Sequence, residues 1–415
     1  MDSRRWWLRV GSLLVLASAM ATGCTARGAE PPSPDGPMAA GKNAAVKALL
    51  DLPSGAPSTT WTPWPSAMRD ARHSGMSASS GPTKGVVRWQ RTLEAAVSSG
   101  PVIGADGTIY VASNGGVLHA VDATTGTDRW TYDSGRSGGG DLSVSPLVLP
   151  DHTIIWGTPK GELAALSAAG ELLWTQELPG RPTSPVTVDG RRIYVGDTSG
   201  GISAVDVPSA GSRRLAWTLD VGSSSFASVV TDGTGRLYTT SGSSLVAVDD
   251  RGATGAVAWR ADPGDGDSEV SAGLGTDGTV LLGTNGSFEW AYGRDGRLRW
   301  KAPRAITYSS PVVTGGGLAY VADHEGIVHV LDLRDGSAAA TYRVTPGTQI
   351  WSSTVVDRDH RVYFGGQDGH AYGLDAIGKV LFNVDLGAPV DGYLALTADA
   401  ALIVGARNGK LTSIQ

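Results

Sequence analysis

Residues 107–122 read GTIYVASNGGVLHAVD and residues 317–332 read GLAYVADHEGIVHVLD, two copies of one unit. In each copy an apolar run is followed by a turn and by a second apolar run that ends in Asp. Short apolar runs separated by Gly-bearing turns are typical of β-hairpins. Partial copies of the unit lie at 192–206, 236–249 and 361–375. The repeat therefore predicts a fold built from many similar hairpins.

An aromatic residue recurs after these units at intervals of 40 to 44 residues. A period of this size without a helical pattern is typical of four-stranded propeller blades. Ser-Pro segments such as Ser145-Pro146 are predicted to open the innermost strand, where a proline removes no ladder hydrogen bond. The recurring aromatics are predicted to lie on the outermost strands: Trp89, Trp130, Trp174, Trp217, Trp259, Trp300, Tyr342 and Phe382.

The last unit lacks an outer strand, because only residues 394–396, 402–405 and 410–414 have strand character there. The segment Val86–Gln90 has a strand pattern and an aromatic but no inner strands before it. Pairing the two ends leaves no open sheet edge. The sequence predicts an all-β fold, an eight-bladed β-propeller over 84–415 whose last blade is closed by the N-terminal strand. Seven blades with a loose tail is the alternative.

Composition agrees with a β-rich chain and narrows the range of partners. The 58 Gly and 13 Trp among 415 residues suit short strands joined by tight turns. A net charge of -6 without a basic run beyond the N-terminus argues against a nucleic-acid partner. A single cysteine excludes an internal disulfide. We expect a monomeric propeller stabilised by packing.

The N-terminus has the pattern of a secretory signal peptide over 1–23. Arg4, Arg5 and Arg9 precede an apolar stretch at 10–20 that is too short to span a bilayer. Residues 21–24, Ala-Thr-Gly-Cys, resemble the lipobox of bacterial lipoproteins. The resemblance implies that Cys24 is the lipid attachment site and that the protein reaches the membrane through this lipid anchor. A soluble secreted protein cut nearby is the alternative.

Two segments separate this anchor from the propeller. Residues 24–60 begin with Cys24 and are otherwise rich in Pro, Ala, Gly and Ser, a composition typical of a flexible tether. Residues 61–83 are predicted to be a lead-in segment that packs across one face of the propeller. The tether would let the folded domain stand away from the lipid surface.

The repeat over 84–415 resembles the pyrroloquinoline-quinone-type propeller repeat. This repeat is found in bacterial quinoprotein dehydrogenases and in lipoproteins of the BamB outer-membrane assembly type. The resemblance implies the fold, and it leaves both activities open because unrelated functions share this propeller. With the lipobox, it implies a place at the cell envelope, on the periplasmic face of an outer membrane or on the extracytoplasmic cell surface.

The resemblance to the dehydrogenases implies a deep cofactor pocket, a calcium ion held by carboxylates and, in many members, a vicinal disulfide, which one cysteine cannot form. The acidic string 262–269 lacks the final carboxylate of a calcium loop and is interpreted as an exposed turn. His119 and His329 share one repeat position and are interpreted as structural. We therefore expect no catalytic residue, no metal and no cofactor, and a protein that is not an enzyme.

Binding is predicted where the units differ, just before each innermost strand. Aromatic and acidic groups at one mouth of the channel suit an envelope protein as partner. The alternative explanation of these residues is ordinary loop variation, with side chains that plug the channel. A second possible function is a small-ligand or pyrroloquinoline-quinone binding protein, including a quinoprotein dehydrogenase. The candidate partner-binding residues are Arg181, Phe226, Glu269, Tyr308, Trp351 and Asp391. Arg181 is predicted to pair with the acids of this set.

Overall fold

The computed structural model describes residues 62–135, 144–190, 192–207, 214–223, 226–344 and 348–415. Within these ranges the regular structure is β throughout, with eight antiparallel sheets of four strands each. The predicted all-β, eight-bladed propeller is confirmed. No helix in the described ranges is long and apolar enough to cross a membrane. The predicted lipid site Cys24, the signal peptide and the tether lie outside these ranges.

The strands are numbered in chain order, and each blade uses four of them. The first four blades contain β2 (Val102–Ile103), β3 (Ile109–Ala112), β4 (Val117–Val121), β5 (Asp128–Asp133); β6 (Leu147–Val148), β7 (Ile154–Thr158), β8 (Glu162–Leu166), β9 (Leu172–Glu177); β10 (Thr187–Asp189), β11 (Arg192–Gly196), β12 (Gly201–Asp206), β13 (Arg214–Asp220); β14 (Val230–Thr231), β15 (Arg236–Ser241), β16 (Ser244–Asp250) and β17 (Gly255–Ala261).

The other four blades complete the ring, and the last of them includes the first strand of the chain. They contain β18 (Gly273–Leu274), β19 (Val280–Gly283), β20 (Phe288–Tyr292), β21 (Leu298–Pro303); β22 (Val312–Val313), β23 (Leu318–Ala322), β24 (Ile327–Asp332), β25 (Ala338–Arg343); β26 (Val355–Val356), β27 (Val362–Gly365), β28 (His370–Leu374), β29 (Val380–Asp385); β30 (Ala395–Leu396), β31 (Leu402–Gly405), β32 (Lys410–Ile414) and β1 (Val87–Thr92).

The four strands of each blade are called A, B, C and D from the channel outward, and β1 is strand D of the last blade. Burial of the side chains decreases from strand A to strand D. In blade 1 the A and B strands, β2 and β3, are fully buried, whereas the D strand β5 alternates between exposed and half-buried side chains. Strands that are covered on both faces have continuous apolar runs, and this explains why the B strands could be predicted from the sequence. The apolar clusters join neighbouring blades, such as Trp217 of blade 3 with Leu237 of blade 4.

The last blade is completed by the N-terminal strand. β1 pairs antiparallel with β32, so that Val87 lies opposite Ile414 and Arg91 lies opposite Leu411. The sheet order is β1-β32-β31-β30. Both ends of the propeller therefore lie in one sheet, and β32 has no unpaired edge.

The recurring aromatics of the D strands bind the next blade. The indole Nε1 of Trp89 donates to the Ala123 carbonyl at 2.8 Å, and that of Trp300 donates to the Leu333 carbonyl at 2.9 Å. A glycine of the next blade lies under the ring in each case, and a Cβ added to Gly126 would lie 2.6 Å from Trp89. Trp89 and Trp300 thus pack on, and hydrogen-bond to, the neighbouring blade.

Tyr342 lies on the outer strand of blade 6, as predicted, but two residues further along it than the aromatics of the other blades. In the other blades the aromatic of strand D lies opposite the C-strand residue that comes just before a register shift, as Trp130 lies opposite Ala120 in blade 1. In blade 6 the equivalent C-strand residue is Val330, and Ala340 lies opposite it. Tyr342 is two residues further along β25. Its hydroxyl still donates to the Ala376 carbonyl of blade 7 at 2.9 Å. The longer side chain therefore makes the contact that the small Ala340 cannot make.

Residues 62–82, here called the strap, cross one end of the channel. Their carbonyls accept hydrogen bonds from the last A-strand residue of four blades, at 2.7 to 2.9 Å. Because strand A ends at the A–B turn, the strap covers the face that carries the A–B and C–D turns. The pairs, donor first, are Ile103 and Trp64, Val148 and Pro65, Thr231 and Ala71, and Val356 and Gly75.

The opposite end of the channel is narrowed by polar side chains at the start of the A strands. Neighbouring blades are joined there by serines: the backbone N–H of Ser271 donates to Ser310 Oγ, and that of Ser310 to Ser353 Oγ, both at 3.1 Å. The hydroxyl of Tyr393, in blade 8, lies 3.5 Å from Ser271 Oγ, in blade 5. Tyr393 therefore crosses the channel.

Candidate functional site

The six predicted binding residues all lie in D–A loops. In an antiparallel blade the D–A loops and the B–C turns share one face, here called the rim, and this is the face opposite the strap. Connecting loops on a rigid scaffold are common places for binding residues. The rim is therefore the surface on which a site can form.

Three rings of the rim contact one another and are here called the ring cluster. The Tyr308 ring centroid lies 4.7 Å from that of His324 and 5.4 Å from that of Trp351. The rings of His324 and Trp351 stack at 5.8 Å with an interplanar angle of 14°. The structure thus brings together two predicted residues and adds His324, which the sequence analysis did not single out.

Hairpins of two blades position the ring cluster. His324 lies in the B–C turn of blade 6, and its backbone N–H donates to the Ile306 carbonyl in the preceding D–A loop at 2.9 Å. Trp351 lies in the D–A loop before blade 7 and donates from Nε1 to Gln349 Oε1 at 3.2 Å. The Gln349 carbonyl of this loop accepts from the Gln367 N–H in the B–C turn of blade 7 at 2.9 Å. Since each loop is held by a neighbouring turn, the rings are fixed by backbone contacts as well as by packing.

Arg407 extends the ring cluster to blade 8. Its guanidinium carbon lies 5.7 Å from the Trp351 ring centroid, within the range of a cation–π interaction. Its Nε donates to Oδ2 of the predicted residue Asp391. Gln367 donates from Nε2 to the other Asp391 oxygen at 2.6 Å. Asp391 is thus bound on both oxygens, and its charge is balanced by Arg407.

Glu269 borders the ring cluster on the side of blade 5. Burial, reinforced by the negative charge of Asp267, raises the pKa of Glu269. Burial and the nearby Glu269 carboxylate also raise the pKa of Tyr308. Glu269 and Tyr308 each lie two residues before a serine, and the backbone N–H of Ser271 donates to Ser310 Oγ at 3.1 Å. The loops that carry Glu269 and Tyr308 are therefore neighbours on the rim.

Arg181 and Phe226 lie further around the rim. Arg181 lines an open depression of about 520 Å³ between blades 2 and 3, together with Lys160, Glu162 and Glu177. The pairing of Arg181 with the rim acids stays a prediction, and of these acids Asp391 is bound by Arg407. Phe226 precedes blade 4 with 37% of its surface exposed.

A buried ion pair lies in blade 5, and the sequence analysis missed it. Arg304 Nε donates to Glu289 Oε2 at 2.9 Å, with side-chain exposures of 1% and 0%. Burial raises the pKa of Glu289, although Arg304 opposes this shift. At the equivalent register, blade 2 has Leu163 and Leu178, which pack in its apolar cluster. Aligning the blades position by position would have revealed the two charges.

The histidines and acids considered as metal ligands have structural partners. His119 contacts Glu94 at 2.9 Å and Asp128 at 3.3 Å, and His329 contacts Asp323 at 2.8 Å. In the string 262–269, Asp265 accepts hydrogen bonds from the blade 5 turn, including the backbone N–H of residue 288 at 3.1 Å. Over the described ranges, no three or more His, Cys, Asp or Glu side chains are arranged to hold a metal ion.

Comparison with curated proteins gives partial matches. The serine/threonine-protein kinase AfsK of Streptomyces griseus is 29% identical over 188 residues, which are 43% of this chain and 22% of the kinase. Outer membrane protein assembly factor BamB of Nitrosomonas eutropha is 32% identical over 104 residues, 24% of each chain. The matches thus span less than a quarter of either relative's own length.

Among solved structures, the quinohemoprotein alcohol dehydrogenase of Comamonas testosteroni is similar with a TM-score of 0.68. The sequence identity is 17%, and the match covers 90% of this chain and 84% of the dehydrogenase. At this identity the likeness shows the fold alone.

A family model supplies the wider match. It is described as outer membrane protein assembly factor BamB and matches residues 78–214, 138–234 and 209–376. These overlapping stretches cover most of the propeller, from the end of the strap to blade 7. With the eight blades of four strands, they show that the chain belongs to the BamB family of pyrroloquinoline-quinone-like propellers.

Proposed function

We propose that this protein is an envelope lipoprotein, anchored through Cys24, that binds an envelope protein partner at its rim and is not an enzyme. The observation that carries the proposal is the ring cluster, with Ile306 42% exposed beside it. Aromatic groups bordered by charged side chains have the chemistry of protein-binding hot spots. Membership of the BamB family supports an assembly or scaffolding role.

The arrangement of the two faces supports the rim as the binding surface. The strap occupies the end of the channel where the A strands end. The ring cluster lies on the opposite face, among the D–A loops and B–C turns. Rim loops can then reach a partner without displacing the lead-in segment.

The second candidate, a quinone-binding protein or dehydrogenase, fits the described residues poorly. Tyr393 crosses the channel between blades 8 and 5, where a planar cofactor would need space. The histidines and the acidic string that could serve a metal are engaged in hydrogen bonds within the fold. Similarity to the alcohol dehydrogenase supports a shared scaffold only.

The proposal is tested by site-specific photo-crosslinking in the native host. A photoreactive amino acid replaces Ile306 on the rim or, as control, Ile377, which is 63% exposed in a C–D turn on the strap face. We expect a discrete crosslinked partner from position 306 that disappears in the Trp351→Ala background. Equal crosslinking from both positions, or a product that survives Trp351→Ala, would contradict rim binding.

A further inference from the structure

The rim around the ring cluster has an uneven balance of charge. On the blade 8 side, the Arg407 guanidinium is paired with Asp391. In blade 5, the buried Arg304 is paired with Glu289. On the blade 5 side lie two acids, Glu269 and Asp267; burial raises the pKa of Glu269, and the charge of Asp267 adds to this shift. The two cations are thus paired with carboxylates, whereas the blade 5 side of the rim carries two acids within three residues of each other in one loop.

The ring cluster itself carries no positive charge at neutral pH. Burial lowers the pKa of His324 to about 4, so its imidazole is neutral under physiological conditions. Its Nε2 is buried and has no hydrogen-bond partner within the described ranges. A neutral imidazole between two aromatic rings does not repel a cation that approaches Glu269.

Cations already lie over aromatic rings in this part of the molecule. Arg407 lies over Trp351, and the Lys301 ammonium lies 4.3 Å from the Phe288 ring centroid in blade 5. Tyr308 offers a further ring in the loop next to that of Glu269, and it takes no part in the cation–π contacts of the described residues. A carboxylate beside an aromatic ring attracts an ammonium or guanidinium group by ion pairing and by cation–π interaction.

We infer that the rim binds a partner segment in which a Lys or Arg adjoins an aliphatic residue, the cation lying between Glu269 and Tyr308 and the aliphatic group on Ile306 and Trp351. This inference rests on the proposed function, because it assigns a chemistry to the same surface. The aliphatic contact supplies burial of apolar area. The charged contact selects basic over acidic segments, because an acidic segment would face Glu269 and Asp267.

The test uses the full chain, with random twelve-residue peptides displayed on phage as the probe. Selection on the wild-type protein is expected to enrich Lys or Arg next to Leu, Ile, Val or an aromatic residue. The best peptide is synthesised, and its affinity is measured by calorimetry against Glu269→Gln, Glu269→Lys, Trp351→Ala and the control Glu177→Lys. Glu177 is an exposed carboxylate elsewhere on the rim.

We expect Glu269→Lys and Trp351→Ala to weaken binding by about tenfold or more, Glu269→Gln by less, and Glu177→Lys to leave it unchanged. Enrichment of acidic peptides, absence of a rim-dependent peptide, or an affinity that is insensitive to Glu269→Lys would overturn the inference. The proposed function fails separately. Absence of a crosslink from position 306 in the otherwise wild-type protein argues against the surface, whereas a crosslink without preference for basic peptides argues against this chemistry alone.

Discussion

Trp217 of blade 3 donates a hydrogen bond from Nε1 to Asp250 Oδ1 of blade 4 at 3.1 Å. Asp250 also accepts from the Tyr194 hydroxyl at 2.7 Å and from Arg192 Nη1 at 2.8 Å, so one carboxylate gathers three side chains of the preceding blade. The Trp217 ring is 6% exposed and packs over Gly255. Side-chain hydrogen bonds between blades 3 and 4 therefore converge on Asp250.

Trp217→Ala is expected to lower the free energy of unfolding by about 3–5 kcal/mol, because it removes a buried ring and the hydrogen bond to Asp250. Trp217→Phe keeps most of the ring and should cost less. Denaturant unfolding followed by fluorescence and circular dichroism measures both changes. A loss below about 1 kcal/mol for the alanine variant would show that the ring is not a stabilising element.

The pair of Arg304 and Glu289 predicts non-additive substitutions. Glu289→Leu alone leaves a buried guanidinium without its carboxylate and should cost about 3–5 kcal/mol. The double variant Glu289→Leu/Arg304→Leu reproduces the leucines of blade 2 and is expected to be near neutral or stabilising. A double-mutant cycle by thermal unfolding measures the coupling. Additive losses would show that the two charges stabilise the blade independently.

His73 in the strap predicts a pH dependence of stability. Its side chain is buried, and burial lowers its pKa from 6.5 to about 3. Because the folded pKa is lower than the unfolded one, the unfolded chain binds the additional proton between these values, and stability falls as the pH falls below about 6.5. From pH 7 to pH 5 this residue should account for a loss of about 2 kcal/mol.

His73→Asn is the matched variant, because His73 has φ 55° and asparagine tolerates this backbone conformation. It removes the titration while keeping a polar side chain. The difference in unfolding free energy between pH 7 and pH 5 should be smaller in this variant than in the wild type. Equal pH slopes would place the titrating group outside the strap.

Cys24→Ser tests the proposed lipid anchor. Without a thiol the diacylglycerol cannot be attached, so the protein should appear in the soluble fraction or remain as an unprocessed precursor. Fractionation with immunoblotting, and mass spectrometry of the wild-type N-terminus, give the readout. Normal processing together with retention in the membrane would argue against lipidation.

Calorimetry with pyrroloquinoline quinone and calcium separates a scaffold from a quinoprotein. We expect no saturable binding at micromolar concentrations, since Tyr393 crosses the channel, and no dye reduction with alcohols or sugars. Trp351→Ala is the companion variant. If the wild type bound tightly and this variant did not, the ring cluster would have to be reinterpreted as a cofactor site.

The repeat made the fold predictable, because each blade buries its B and C strands with similar residues. It placed Tyr342 correctly on an outer strand but did not give its position within that strand, since the spacing between aromatics does not reveal a two-residue shift. The strand register in the structure shows that Tyr342 lies opposite Val328 and not opposite Val330.

The site was less predictable than the fold. Tyr308 and Trp351 were visible as departures from the repeat, but His324 and Arg407 lie in B–C turns that vary between blades. Their contacts depend on three blades standing side by side, which no local pattern encodes. The charges of Arg304 and Glu289 were present in the sequence and needed only a strand-by-strand alignment to be noticed.

The pairing of Val87 with Ile414 also constrains the order of events during biosynthesis. A chain made or exported from its N-terminus releases β1 long before residues 410–414 emerge, so β1 must wait for its partner while the intervening blades form. A chain that stops before residue 410 would leave β1 and β31 without the strand that lies between them. Ring closure therefore makes the native structure contingent on complete synthesis, and truncated products expose sheet edges that quality-control proteases can attack.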